Sequence, residues 1–396
     1  MDHALPLVVL RGSMTLALVL GVVAPASATK LLVANHGVDS DTCGTETAPC
    51  RSLGRAIANA NAGDTIDVGP GRYGDLNGDG DFGDPGDEAA EIDLGCDCMV
   101  RVDKPLMIAS RNGAGATLLD AGDAPIDVVR VEASPTVFGK PKRGFTLRGS
   151  ANGSGFSSEQ DGITLAGNIA VENGWTGFKA SGLDVVAVEN RAIGNGGQGF
   201  QLSGNRDLIR GNVAIANGSD GIETDDDSTM VGNFCALNGG AGLDTERNNT
   251  LRGNVAIGNG GAGLRVSEGN VVTGNITQGN GRGMTISGDR NLLTKNAIVG
   301  NRGAGILLES GADNLVTRNS IFGNNAALDP PLATANCGFA TQDSRPTDLR
   351  RNFWGAATGP GNDPADAFCA LAAQLGPSPL VPFAPKEIKV KARAAQ

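Results

Sequence analysis

An all-β parallel β-helix, one chain wound into stacked coils, is the fold the sequence predicts, and three observations carry that prediction. The first is a doubled asparagine repeat. Asn168, Asn190, Asn212, Asn233, Asn254, Asn275, Asn296 and Asn319 stand 22, 22, 21, 21, 21, 21 and 23 residues apart, and each is followed five residues later by a second asparagine, from Asn173 to Asn324. Self-similarity at such a period marks a solenoid. The second is alternation: Gly plus an apolar residue recurs in each unit, as in Gly221-Ile222 and Gly305-Ile306, with an apolar or β-branched residue two positions on, as in Thr224 and Leu308. Period two is the signature of a strand. The third is the short unit itself, which has Gly-Asn turns, no room for a helix, and none of the regularly spaced leucines of a leucine-rich repeat. With 60 glycines in 396 residues and 40% hydrophobic residues, the chain is apolar enough to fold but lacks the strict Gly period of collagen.

Taken in order, residues 1–28 read as a signal peptide: Arg11, an apolar run from Met14 to Ala24, and Ala26-Ser27-Ala28 as a small-residue cleavage site. That run is too short to span a bilayer, and no later segment could span one. The mature chain is therefore expected to be secreted or periplasmic, without a membrane span, where disulfides are allowed. Seven cysteines leave one over. Cys43 with Cys50, Cys96 with Cys98 and Cys337 with Cys369 are candidate local bridges, although spacing does not determine connectivity.

Residues 29–62 are expected to form an N-terminal cap. Ala56, Ile57 and Ala60 lie at helical spacing between Arg51 and Asn61, so a short capping helix should cover the open end of the first coil. Residues 63–166 read as irregular coils with an acidic loop insertion, 167–330 as the regular repeats, and 331–396 as a closing segment and tail. Stacking at about 4.8 Å puts each asparagine over its equivalent, where amides can bond along the stack and tolerate left-handed turn geometry. Ala170, Ala192, Ala214, Cys235 and Ala256 form an inward column, which makes Cys235 a buried, inert thiol. Trp175 and Trp354 are assigned to core or cap packing, since one Tyr in the whole chain leaves no visible aromatic platform.

Ala-Pro-Cys-Arg-Ser-Leu at 48 to 53, Gly-Asp-Thr-Ile at 63 to 66, Pro-Gly-Arg-Tyr at 70 to 73 and Lys-Pro-Leu-Met-Ile at 104 to 108 form one set of motifs. They resemble the entry region of secreted β-helix proteins in the pectin-lyase-like superfamily. Asn352-Phe353-Trp354-Gly355 with Gly359-Pro360 resembles their closing segment. The resemblance covers nearly all the mature chain and implies a single-stranded right-handed parallel β-helix. It implies no single activity, because that superfamily holds lyases, hydrolases, epimerases and non-enzymatic surface proteins.

A net charge of −11, from 43 acids against 32 bases, argues against nucleic acid, whose phosphates call for a basic face. Residues 11 and 13 places after the first asparagine should face solvent. One column reads Lys179, Gln201, Glu223, Asp244, Arg265; the other reads Ser181, Ser203, Asp225, Glu246, Ser267. Glu223, Asp225, Asp244 and Glu246 would form a carboxylate block bordered by Lys179 and Arg265, and stacked like charges are costly unless a cation or a raised pKa relieves them. Three readings compete at this block. Paired carboxylates suit glycoside hydrolysis. Alternatively, bound Ca²⁺ could neutralise a uronic acid while Lys179 or Arg265 removes a proton, as a lyase requires. The third reading is a solvated acidic face. There is no Asp-Pro-His epimerase signature, and the one histidine of the mature chain, His36, is expected to be structural.

Asp75, Asn77, Asp79 and Asp81, with Gly80, match the start of a calcium loop, with Asp84, Asp87 or Glu88 available in place of the usual closing glutamate. Calcium is thus the expected cofactor, with a local stabilising role. The functional expectation is a monomeric extracytoplasmic protein that binds polysaccharide along its elongated face, and in its enzymatic form cleaves it as a lyase or glycoside hydrolase. The alternatives are a non-catalytic surface, adhesion or structural module, and a periplasmic accessory protein of a metalloenzyme. The latter calls for soft ligands that the sequence does not offer.

Overall fold

The computed structural model describes residues 28–75, 79, 81–82, 84, 87–88, 96–325, 336–362, 364–370 and 378–391. The leader expected at 1–28 lies almost wholly outside them, as does Asn77 of the acidic loop. The chain is a right-handed parallel β-helix, its strands arranged in three parallel sheets of 12, 12 and 11 strands among the described residues. One coil shows the pattern. Phe234–Ala236, Leu243–Thr245 and Thr250–Arg252 supply one strand to each sheet, and each pairs with its counterparts about 21 residues before and after.

Alternation along these three-residue strands builds the core. In Ile222–Thr224 the outer two residues are buried and Glu223 points out. The inward column is as expected: Ala192, Ala214, Cys235, Ala256 and Ile298 are all fully buried. Burial pushes the Cys235 thiol far up from its ordinary pKa, so it stays protonated and unreactive. Phe178 and Phe200 stack at 5.0 Å between adjacent coils. Cys43–Cys50, Cys96–Cys98 and Cys337–Cys369 are bridged, and Cys235 is free; such pairing is that of an extracytoplasmic chain. No helix among the described residues is long and apolar enough to cross a membrane.

Both asparagine series form continuous buried ladders. Asn254 is representative: its Oδ1 accepts from the backbone N–H and the Nδ2 of Asn233, both at 2.9 Å, while its Nδ2 donates to Met230 O and to Asn275 Oδ1, both at 3.0 Å. The left-handed residue is not the asparagine but the one before it. Glu189 (φ 55°), Ala216 (φ 56°), Leu237 (φ 58°) and Lys295 (φ 56°) precede Asn190, Asn217, Asn238 and Asn296. The left-handed step turns the chain so that the next amide points inward and reaches the coil beyond. Glycine suits this corner and occupies it at Gly211, Gly232 and Gly253.

A third ladder runs along another corner through Asn249, Asn270, Asn291 and Asn314. Ser228 and Asp207 continue it downward: Asp207 N donates to Ser228 Oγ, and Val185 N donates to Asp207 Oδ1. Asp207 Oδ2 is buried without a partner, and burial raises its pKa from 3.8 to about 7, helped by Asp184 and Asp225. A carboxyl held above its unfolded value binds a proton in the folded state that the unfolded chain has lost. Its contribution to stability therefore falls as pH rises from about 4 to about 7 and stays low above that. Asp207→Asn restores the ladder amide and should raise stability by on the order of 2–4 kcal/mol at pH 8 but little at pH 4. Denaturant titrations at the two pH values check this; an equal gain at both would refute it.

The helix Leu53–Asn59 buries Leu53, Ala56 and Ile57, and the Ser52 side chain accepts from Arg55 N at 3.1 Å. Lys104 Nζ donates to the last carbonyls, Ile57 O at 3.0 Å and Ala60 O at 3.2 Å. At the far end Asn352 completes the first asparagine ladder and Asp366 the second, with Trp354 buried beneath.

Candidate functional site

The sheet register sets Lys179, Gln201, Glu223, Asp244 and Arg265 side by side on consecutive strands. Glu223 and Asp244 are therefore about one strand spacing, 4.8 Å, apart at the backbone. Asp225 and Glu246 follow one position past the same strands, so the four predicted carboxylates share one outward face. Arg265 joins them: its Nη1 lies 2.5 Å from Asp244 Oδ2. Asp220, which the sequence reading passed over, enters from the preceding turn and accepts from Ala241 N. No asparagine-based spacing pointed to it, since it precedes the strand.

This crowding has an electrostatic signature. Burial raises the Asp244 pKa from 3.8 to about 6; Arg265 opposes this, while Asp220 and Glu223 reinforce it. Glu223 is also raised, first by burial and then by Asp220, Asp225 and Glu246, although Gln198 Nε2 donates to it at 2.9 Å. Asp225 is raised by burial, Glu246 and Asp226. Glu246 accepts from Ser267 Oγ at 3.2 Å. Two neighbouring carboxyls raised above their ordinary range are the environment of an acid–base pair.

Lys179 is on the face but not in the block. Two strands from Glu223, it places its Nζ 5.2 Å from the centre of the Trp175 ring. Trp175 is 52% exposed, which corrects its assignment to packing: it stands in the turn before the strand Phe178–Ala180 rather than on an inward column. Trp354 alone is core. Trp175 and Lys179 border a cleft of about 250 Å³ on the same sheet, together with Asp127, Arg130, Ser157 and Glu159. Asp127 is locked there, accepting from Ser154 N and Ser157 Oγ, both at 2.6 Å. Arg130 lies 3.3 Å from Glu132 and 3.7 Å from Glu159.

Of the calcium-loop residues, the structure describes Asp75, Asp79, Asp81 and Asp84. Asp75 is fully buried, Asp81 N donates to Asp79 Oδ1 at 2.8 Å, and Asn77 is outside the described residues. Among the described residues, no three of Asp75, Asp79, Asp81 and Asp84 hold ligand oxygens within 4.8 Å of one another; the one such group is Asp39, Cys43 and Cys50, whose cysteines are bridged. Glu88 is committed elsewhere, accepting from the N–H groups of Leu53 at 2.5 Å and Gly54 at 2.8 Å. It caps the capping helix, a role for the insertion that its composition did not reveal.

A family model described as periplasmic copper-binding protein (NosD) matches residues 223–331. The A-module of the mannuronan C-5 epimerase AlgE6 of Azotobacter vinelandii is similar in structure, with a TM-score of 0.60 and 18% identity over 83% of this chain and 92% of that one. The A-module of AlgE4 from the same organism has a TM-score of 0.50 and 15% identity over 83% of this chain and 91% of that one. No curated protein sequence matches the chain. These likenesses establish the right-handed parallel β-helix fold.

Proposed function

We propose that this chain is an extracytoplasmic polysaccharide-binding protein that hydrolyses its ligand at the Glu223–Asp244 pair. One observation carries the reading: two stacked carboxyls with raised pKa values lie on the same open face as a cleft with a half-exposed tryptophan. Extended glycans suit such a face, with aromatic platforms binding the sugar and fixed polar groups orienting it. Asp244 holds the proton and gives it to the leaving glycosidic oxygen as the C–O bond breaks. Glu223, one strand spacing away, bonds to the anomeric carbon as that bond breaks; Asp244, now a carboxylate, then takes a proton from the water whose oxygen displaces Glu223. A lyase reading needs a free basic side chain beside the block, and Arg265 is tied to Asp244 while Lys179 lies over Trp175.

Copper binding, which the matched family's description suggests, finds little support in this chain's chemistry. Residues 223–331 contain no histidine, and Met230, Cys235 and Met284 are buried in the core. The imidazole, thiolate and thioether donors that hold copper are not presented there. The hydrolysis reading is tested by measuring new reducing ends on a panel of neutral and acidic polysaccharides. Release by the parent protein and its loss in Glu223→Gln support the reading; equal release by both refutes it.

A further inference from the structure

We infer that the cleft beside Trp175 is an anchoring subsite for an uncharged pyranose, so that the ligand is a neutral polysaccharide rather than a polyuronate. The inference rests on the glycan-binding reading above and goes further, naming the subsite and the class of sugar. The cleft is built rather than incidental. Asp127 is fixed by two hydrogen bonds, one of which orients the hydroxyl of Ser157, a residue lining the cleft. Gly197 on the next coil leaves room for the indole: a Cβ there would stand 2.7 Å from Trp175 Cδ1. An indole offers an apolar plate for the C–H face of a sugar, and the locked hydroxyl and carboxylate around it suit ring hydroxyls.

Charge then selects among sugars. Within the cleft, Arg130 is already matched by Glu132 and Glu159, and the Lys179 ammonium faces the indole. Beyond Gln201, the next strands carry Glu223, Asp225, Asp244 and Glu246 with Arg265 as the one cation paired among them. A polyuronate seated on Trp175 and running along the coils would lay its carboxylates against this block. At strand spacing like charges repel, which disfavours such a ligand where no cation bridges them. A neutral chain meets no such barrier.

The test exploits the two tryptophans. Trp354 is fully buried and Trp175 half-exposed, so acrylamide quenching of the mature protein reports on Trp175. Hexamers of glucose, mannose and xylose are compared with hexamers of galacturonate and mannuronate, all in EDTA at physiological salt. At least one neutral hexamer is expected to shield Trp175, with the uronates giving no shielding. Trp175→Ala should weaken that binding about tenfold or more by calorimetry, while Trp175→Tyr retains most of it. Shielding by a uronate alone, or by nothing in the panel, overturns the inference. A neutral hexamer that shields Trp175 without being cleaved upholds the subsite and refutes only the hydrolysis reading.

Discussion

Replacing Asn254 by alanine is expected to cost about 3 kcal/mol of stability, because it strands three buried polar groups in mid-stack. The backbone N–H and one amide hydrogen of Asn233 lose their acceptor, and Met230 O loses its donor. All of this lies in a fully buried column, where water cannot stand in. Ladder continuity also matters in a solenoid, whose coils are held mainly by their neighbours. Asn248 provides the contrast. It is exposed, left-handed at φ 57°, and outside the ladder, which passes through the very next residue. Asn248→Gly should leave stability within about 0.5 kcal/mol of the parent. Denaturant midpoints for the two variants check the contrast; similar losses would mean that stacked amides are not what binds the coils.

Asp244→Asn should lower hydrolysis by on the order of 10²–10⁴, the usual worth of a general acid. It keeps the shape of the side chain while removing the transferable proton and the charge that pairs with Arg265. In the parent, activity should decline as pH rises through about 6, since Asp244 then loses that proton. The variant's residual activity should show no such decline. Binding measured at Trp175 should be unchanged or tighter, because one charge of a mutually repelling group is gone. A variant as active as the parent would remove Asp244 from the chemistry.

The parts of this fold that sequence reveals are those tied to its period. A fixed spacing plus a parallel register places Glu223 beside Asp244 and Cys235 between Ala214 and Ala256, with no further information needed. What the sequence hides is what depends on how the chain turns between strands. The third ladder is obscured because Asp207 and Ser228 stand in place of asparagine in its first coils. The left-handed corner was assigned to the asparagines because side-chain type alone does not say which of two adjacent residues carries the turn; Glu189 and Leu237 occupy it against their own preference. Trp175 was assigned to packing because a chain with one Tyr shows no aromatic platform, whereas its turn holds it out beside Lys179. Glu88 reaches the Leu53 and Gly54 amides across a sequence distance that no local pattern spans.

What the proposed chemistry requires is that Asp244, stacked on Glu223, holds its proton up to about pH 6, above the ordinary carboxylate range. Carbon-13 NMR of the Asp244 side-chain carboxyl, followed as a function of pH, reads this directly. The midpoint should lie near 6 and move down in Glu223→Gln, as one repelling neighbour disappears. A midpoint near the ordinary 3.8, unmoved by Glu223→Gln, would contradict the account and leave the face a solvated acidic surface.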